Sequence, residues 1–141
     1  MNEKLSAMTA LTGRIFLVAI FLSSGVRKIF NWSQTAGYME SNGMPLVPFF
    51  LAGAIALLIL GGLSVLLGYR TRFGAIAIIV FLVPATLIFH DFWAVEQDQV
   101  RLQTIHFMKN LGLIGGLLIL WGSGPGRFSL DARRPNPPRR P

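Results

Sequence analysis

Four apolar stretches, separated by short polar segments, constrain the fold of this chain more than any other feature. In a chain of 141 residues they occupy about 8–30, 47–68, 73–92 and 104–121. Each approaches the roughly 20 apolar residues that an α-helix needs to cross a bilayer. Charged residues make up only 13% of the sequence, about half of their usual share in soluble domains. The sequence therefore predicts an all-α integral membrane protein, an antiparallel four-helix bundle with short loops.

The polar segments between these stretches leave no room for a further folded domain. The segment at 31–42 is predicted to be a polar connection, and the basic turn at 68–72 is short enough to require an antiparallel helix hairpin. The last stretch, RFSLDARRPNPPRRP, is rich in proline and arginine and is predicted to be disordered. We expect one membrane domain over residues 1–125 and a basic tail over residues 126–141.

The positive charges predict how the bundle is oriented. Four crossings place both termini on one side, which would carry nine cations: Lys4, Arg14, Arg70, Arg72, Arg127, Arg133, Arg134, Arg139 and Arg140. The other side would carry four: Arg27, Lys28, Arg101 and Lys109. Lysine and arginine are enriched in cytoplasmic loops, so we expect both termini to be cytoplasmic. The net charge of +7 then reflects topology and contact with anionic lipid, and no nucleic-acid partner is expected.

Several kinds of chemistry are excluded or disfavoured by the residues that the chain lacks. Without cysteine there is no disulfide, thiolate metal ligand or cysteine nucleophile. No acidic residue lies in the middle of an apolar stretch, which disfavours proton-coupled cation export. A haem between His90 and His106 is disfavoured because both histidines would lie at the rim of the bundle. No metal-ligand spacing is present, and no metal is expected.

The polar residues that enter the membrane concentrate toward its predicted outer leaflet. Positions 106, 109 and 110 share one face of the fourth helix. Arg14 and Lys28 lie at opposite ends of one face of the first helix. One interpretation is that these side chains anchor the helices at the interfaces, as Trp93 is expected to do. The other is a polar pocket in which Lys109 pairs with Asp91 or Glu40. Its residues would be Lys28, His90, Asp91, His106, Lys109 and Asn110.

Small residues mark where helices are expected to pack closely. Gly61 and Gly62 lie in the second stretch, and Gly112 and Gly116 form a GxxxG pattern in the fourth. Glycine allows two helix backbones to approach each other in a membrane. The spacing leaves open whether these contacts form within the bundle or between the subunits of a homo-oligomer.

Several strings occur together in an order that is typical of one family. They are Gly13-Arg14, Ser24-Gly25 with Lys28, YMESNGMP at 38–45, GGLSVLLGYRTR at 61–72, FHDFW at 89–93, HFMKNLGLIGGLLIL at 106–120 and GPGRFSLD at 124–131. Together they resemble the DoxX family of small four-helix membrane proteins. Position by position, the polar signature of that family falls on Arg14, Lys28, His90, Trp93, His106, Lys109 and Asn110.

The resemblance implies a function as well as a fold. Members of the family are associated with quinone-linked sulfur oxidation, respiratory oxidase complexes and oxidative-stress defence at the bacterial inner membrane. The resemblance therefore implies a subunit or accessory of a membrane redox system. It implies a quinone as the candidate cofactor and redox-complex proteins as candidate partners, and it identifies no catalytic residue. The resemblance also implies a glutamate, shared by many members, at the position where this chain has Leu58. Its absence implies that the activity is lost or altered here. The alternatives are an assembly scaffold and a small lipid- or solute-handling protein.

Overall fold

The fold is that of a computed structural model, in which residues 2–133 are described. Its α-helices are α1 (Glu3–Phe30), α2 (Trp32–Ser41), α3 (Val47–Leu67), α4 (Thr71–Phe89) and α5 (Val100–Ser123), followed by a 3₁₀ turn at Asp131–Arg133. Within this part of the chain no β-strand forms. Four of the helices, α1, α3, α4 and α5, are long and apolar enough to cross a membrane. The predicted all-α bundle of four membrane helices is confirmed.

The helices pack side by side in the order α1, α3, α4, α5. Extensive contacts join each neighbouring pair, whereas α1 and α5 touch only sparsely. The core between them contains Val18, Phe21, Leu58, Ile78 and Leu117. In a bilayer such packing stabilises a bundle mainly through van der Waals contact, because lipid tails are as apolar as leucine. The sparse contact between α1 and α5 leaves a cleft on that side of the bundle.

Two of the four predicted packing glycines lie where α3 meets its neighbours. A Cβ atom on Gly61 would lie 2.9 Å from Cγ1 of Ile78 on α4, and one on Gly62 would lie 2.6 Å from Cδ2 of Leu22 on α1. On α5, a Cβ atom on Gly116 would lie 3.4 Å from Leu17, whereas Gly112 has nothing within 4 Å in the described chain. Gly112 therefore lies on an open helix face, and its role in an oligomer stays a prediction.

The segment at 31–42, predicted to be a polar connection, is helical. It forms the helix α2, which lies against the start of α3 through Ala36 and Met39. These two residues are three positions apart and pack with Val47 and Leu51. The segment does connect two membrane helices, but it is itself helical because one face of this otherwise polar stretch is apolar and packs on α3. The polar face of α2 is left free to line a site.

The start of the predicted disordered tail is also ordered. The backbone N–H of Leu130 donates to the carbonyl oxygen of Leu67 at 3.2 Å, and that of Asp131 donates to the carbonyl oxygen of Gly68 at 2.7 Å. The Asp131 carboxylate accepts from the backbone N–H groups of Arg70 at 2.8 Å and Thr71 at 2.9 Å. Free N–H groups at a helix N-terminus attract such a carboxylate. The prediction of disorder is therefore wrong for residues 127–133, and residues 134–141 lie outside the described part.

The two ends of the bundle carry different features. Glu3 pairs with Arg127, and the 3₁₀ turn lies against the connection between α3 and α4. We call this the terminal end, and the opposite end, where α2 lies, the α2 end. Both ends of the described chain lie together, as four antiparallel crossings require. That the terminal end faces the cytoplasm stays a prediction.

Candidate functional site

A pocket of about 330 Å³ lies inside the α2 end. Each of the five helices contributes to its lining, and its residues divide into two groups by chemistry. The polar group consists of Ser24, Lys28, Thr35, Tyr38, His90, Lys109 and Asn110. The apolar group includes Phe21, Phe81, Leu82 and Leu113. We call this cavity the α2-end pocket, and its two groups make it amphipathic.

The polar side of the α2-end pocket continues into a wider depression of about 640 Å³ between α1, α2 and α5. Both cavities are lined by Ser24, Lys28, Thr35, Tyr38 and Lys109. The depression adds Arg27, Asn31 and Gln34, so its described lining contains three cations and no carboxylate. We call this depression the polar mouth, and its charge favours an anionic or oxygen-rich group.

Lys109 does not make the ion pair that one interpretation predicted. In the described chain it pairs with neither Asp91 nor Glu40, since the ion pair found there joins Glu3 to Arg127. Its Nζ atom lies 3.4 Å from Nδ1 of His106. Lys109 is exposed at the polar mouth, and its ammonium group has N–H donors available for a ligand.

The two histidines lie side by side next to the pocket. The rings of His90 and His106 stack with centroids 5.1 Å apart and planes at 25°. Nδ1 of His90 also lies 2.9 Å from Oε1 of Gln103. Two axial haem ligands point their nitrogen atoms at one iron from opposite sides, whereas these rings face each other. The arrangement suits hydrogen bonding, and His90 alone of the two reaches the pocket lining.

A buried hydrogen-bond chain fixes the inner polar wall. Asn110, which is 7% exposed, donates from Nδ2 to Oγ1 of Thr86 at 3.0 Å. The Thr86 hydroxyl in turn donates to the carbonyl oxygen of Leu82 at 2.6 Å. Buried polar groups are costly unless they are paired in this way. The chain therefore joins α4 to α5 and orients Asn110 at the pocket.

The structure separates three of the predicted site residues from the pocket. Arg14 lies at the terminal end, 2% exposed, where Nη2 donates to the carbonyl oxygen of Phe128. Trp93 packs edge-on against Phe92 and Phe107 and does not line the pocket. Asp91 is half-buried in the connection after α4 and is also absent from the lining. The pocket thus unites Lys28, His90, Lys109 and Asn110, with His106 beside them.

Other lining residues were missed by the sequence analysis. Thr35 and Tyr38 belong to α2, and a polar connection of unknown conformation gives no helical face on which to place them. Leu58, the position at which the family resemblance implies a glutamate, is completely buried in the core and does not line the α2-end pocket. The polar chemistry of this chain is therefore concentrated away from that position.

The fold and the pocket define a small multi-pass membrane protein with an amphipathic cavity. The DoxX family model matches residues 9–91, and the chain belongs to the DoxX family. It is 35% identical to the inner membrane protein YqjF of Escherichia coli over 92% of this chain and 94% of that protein. It is 32% identical to the E. coli inner membrane protein YphA over 87% and 88% of the two chains. This protein is accordingly a DoxX-family inner-membrane protein.

The chain also resembles a second family model and a yeast protein. The SURF4 family model matches residues 53–136. The ER-derived vesicles protein ERV29 of Saccharomyces cerevisiae is 24% identical over 94% of this chain but only 36% of its own length. No solved structure matches the chain.

Proposed function

We propose that this protein is a subunit or accessory of a membrane redox system and holds the head group of a quinone in the α2-end pocket. The observation that carries the proposal is the amphipathic lining of the pocket. A quinone head is a flat ring with two carbonyl oxygens, and each oxygen accepts hydrogen bonds. The volume of the α2-end pocket, about 330 Å³, lies in the range of small-molecule sites.

The polar and the apolar lining residues would bind different parts of the head group. Lys28, Tyr38 and Lys109 carry donors for the carbonyl oxygens, while Phe21 and Phe81 offer apolar surface for the ring. His90 adds an imidazole ring to the lining, and its nitrogen atoms can donate or accept a hydrogen bond. In this proposal a partner protein supplies the electrons. The redox class itself comes from the family resemblance.

Lys109→Leu tests whether the lysine at the polar mouth holds the head group. A hydrogen bond from a charged donor contributes roughly 1.5–3 kcal/mol, so we expect the Kd of the short-chain probe ubiquinone-1 to rise about tenfold or more. Isothermal titration in mild detergent measures this Kd. The matched control is Lys4→Leu, which removes an exposed lysine at the terminal end and should leave the Kd unchanged. Equal Kd values for all three proteins would contradict the proposal.

One observation favours assembly as a second candidate function. A Cβ atom added at Gly112 or Gly115 on α5 would meet nothing within 4 Å in the described chain apart from the helix's own backbone, so this face has room for another helix. Glycine-lined faces pack against helices of other subunits in membranes. A homo-oligomer or partner complex held through α5, with no ligand in the α2-end pocket, would support a scaffold.

A further inference from the structure

An apolar groove lies on the outside of the bundle, on the far side of the pocket wall from the polar mouth. It has a volume of about 600 Å³ and follows α3 and α4 from the connection after α2. Apart from Asn42, its described lining is apolar or glycine, and it includes Phe49, Gly53, Val80 and Pro84. Phe49 is 73% exposed and Val80 is 58% exposed. The groove is therefore open to the hydrocarbon of the bilayer.

The groove and the α2-end pocket share a wall. Five residues line both cavities: Met39, Ala54, Phe81, Ala85 and Phe89. A side chain that touches both spaces can separate them only by its own thickness, and two of these five are alanines. The pocket and the groove are thus divided by a single layer of side chains, in which Phe81 and Phe89 are the two aromatic members.

The polarity of the surroundings decides which way a hydrocarbon chain can leave the pocket. The polar mouth carries Arg27, Lys28 and Lys109, and a hydrocarbon chain placed there would cover charged groups without pairing them. The groove offers apolar contact at membrane depth instead. A pocket of about 330 Å³ holds a ring head but not a long tail, so the tail must follow one of these two routes.

We propose that the groove holds the isoprenoid tail of the quinone whose head lies in the α2-end pocket. The head reaches the pocket sideways from the bilayer, between α3 and α4 and past Phe81 and Phe89. The ligand class is therefore a long-chain quinone taken from lipid. This inference rests on the proposed function, because that function supplies the head group.

Gly53→Trp tests the inference by filling the groove. Gly53 lines the groove but not the pocket, and a Cβ atom there would meet nothing within 4 Å. The matched control is Gly122→Trp, where a Cβ atom would also meet nothing within 4 Å but which lies on α5 near the terminal end. We measure the Kd of ubiquinone-10 and of ubiquinone-1 for each full-length protein in lipid nanodiscs. Val80→Trp is the second groove variant, should Gly53→Trp fail to fold.

We expect the groove variants to weaken ubiquinone-10 binding about tenfold or more, since an overfilled site excludes its ligand at a cost of this order. Ubiquinone-1, whose tail is a single isoprene unit, should bind as it does to the unsubstituted protein. The α5 control should change neither Kd. Dependence on tail length is the expected signature of the groove.

Other results overturn the inference in distinguishable ways. If ubiquinone-1 binds and the groove variants leave ubiquinone-10 unaffected, the tail lies elsewhere while the proposed function stands. Equal weakening of both quinones would show that the substitutions act through the pocket, and the inference fails. If ubiquinone-1 does not bind the unsubstituted protein, the proposed function fails and the inference fails with it. A phospholipid that native mass spectrometry finds retained, and that Gly53→Trp displaces without changing ubiquinone-10 binding, would identify a lipid chain as the occupant instead.

Discussion

At the residue scale, Asp131 holds the end of the described chain against the bundle. Its carboxylate accepts from the backbone N–H groups of Arg70 and Thr71 and from the Thr71 hydroxyl at 2.9 Å. It lies 60 residues beyond Thr71 in the sequence, so no local pattern marks it as a cap. This carboxylate joins the backbone hydrogen bonds of Leu130 and Asp131 in ordering the segment, and composition alone could not predict contacts between residues so far apart.

Asp131→Ala should destabilise the protein measurably. Loss of a side chain that caps a helix N-terminus lowers the free energy of unfolding by about 0.5–2 kcal/mol. Thermal unfolding in detergent, followed by circular dichroism, should show a lower Tm. The matched control is Glu3→Ala, which removes the exposed ion pair with Arg127 and should have little effect because such pairs contribute at most about 1 kcal/mol. Equal Tm values for the two variants would refute this role of Asp131.

At the scale of elements, α2 completes the pocket. Its apolar face docks on α3 through Met39, and its polar face brings Thr35 and Tyr38 into the lining. Tyr38 also packs against Phe89 of α4 with ring centroids 5.4 Å apart. The helix therefore closes the space between α1 and α4 at the α2 end.

Met39→Ala should loosen α2 while the membrane helices remain packed. Met39 is 6% exposed, and truncating a buried methionine costs about 2 kcal/mol or more. Hydrogen exchange should therefore become about tenfold faster or more at the backbone amides of Trp32–Ser41, with those of α3 unchanged. Glu40→Ala, on the exposed side of α2, is the control and should leave exchange as it was. Unchanged exchange in Met39→Ala would show that α2 docks by other contacts.

At the scale of the whole molecule, the sequence predicts the bundle better than the site. The four membrane helices follow from apolar length, since lipid admits only helices and closed barrels and a stretch of about 20 apolar residues fits a helix. The spacing of His106, Lys109 and Asn110 groups them on one stretch of α5, because helical periodicity is local, and two of them, Lys109 and Asn110, line the pocket. The pocket as a whole depends on α2 and on which helices pack together. Helical periodicity predicts neither the docking of α2 nor which helices pack together. It therefore does not indicate Tyr38, and it does not separate Arg14 from the residues at the α2 end.

The same limit separates the two ends of the molecule. Arg14 and Lys28 share one face of α1, yet one is buried under the chain end at Phe128 and the other lines the polar mouth. A shared helical face therefore does not imply a shared site when the helix spans the whole bundle.

Native mass spectrometry of the protein extracted from its own membrane in mild detergent tests the quinone site most directly. One spectrum reports bound small molecules, subunit number and companion proteins together. We expect one retained quinone per chain, and we expect Lys109→Leu to lose it while Lys4→Leu keeps it. A protein that retains only phospholipid, or no small molecule at all, would contradict the quinone site and favour a scaffold or lipid-handling role.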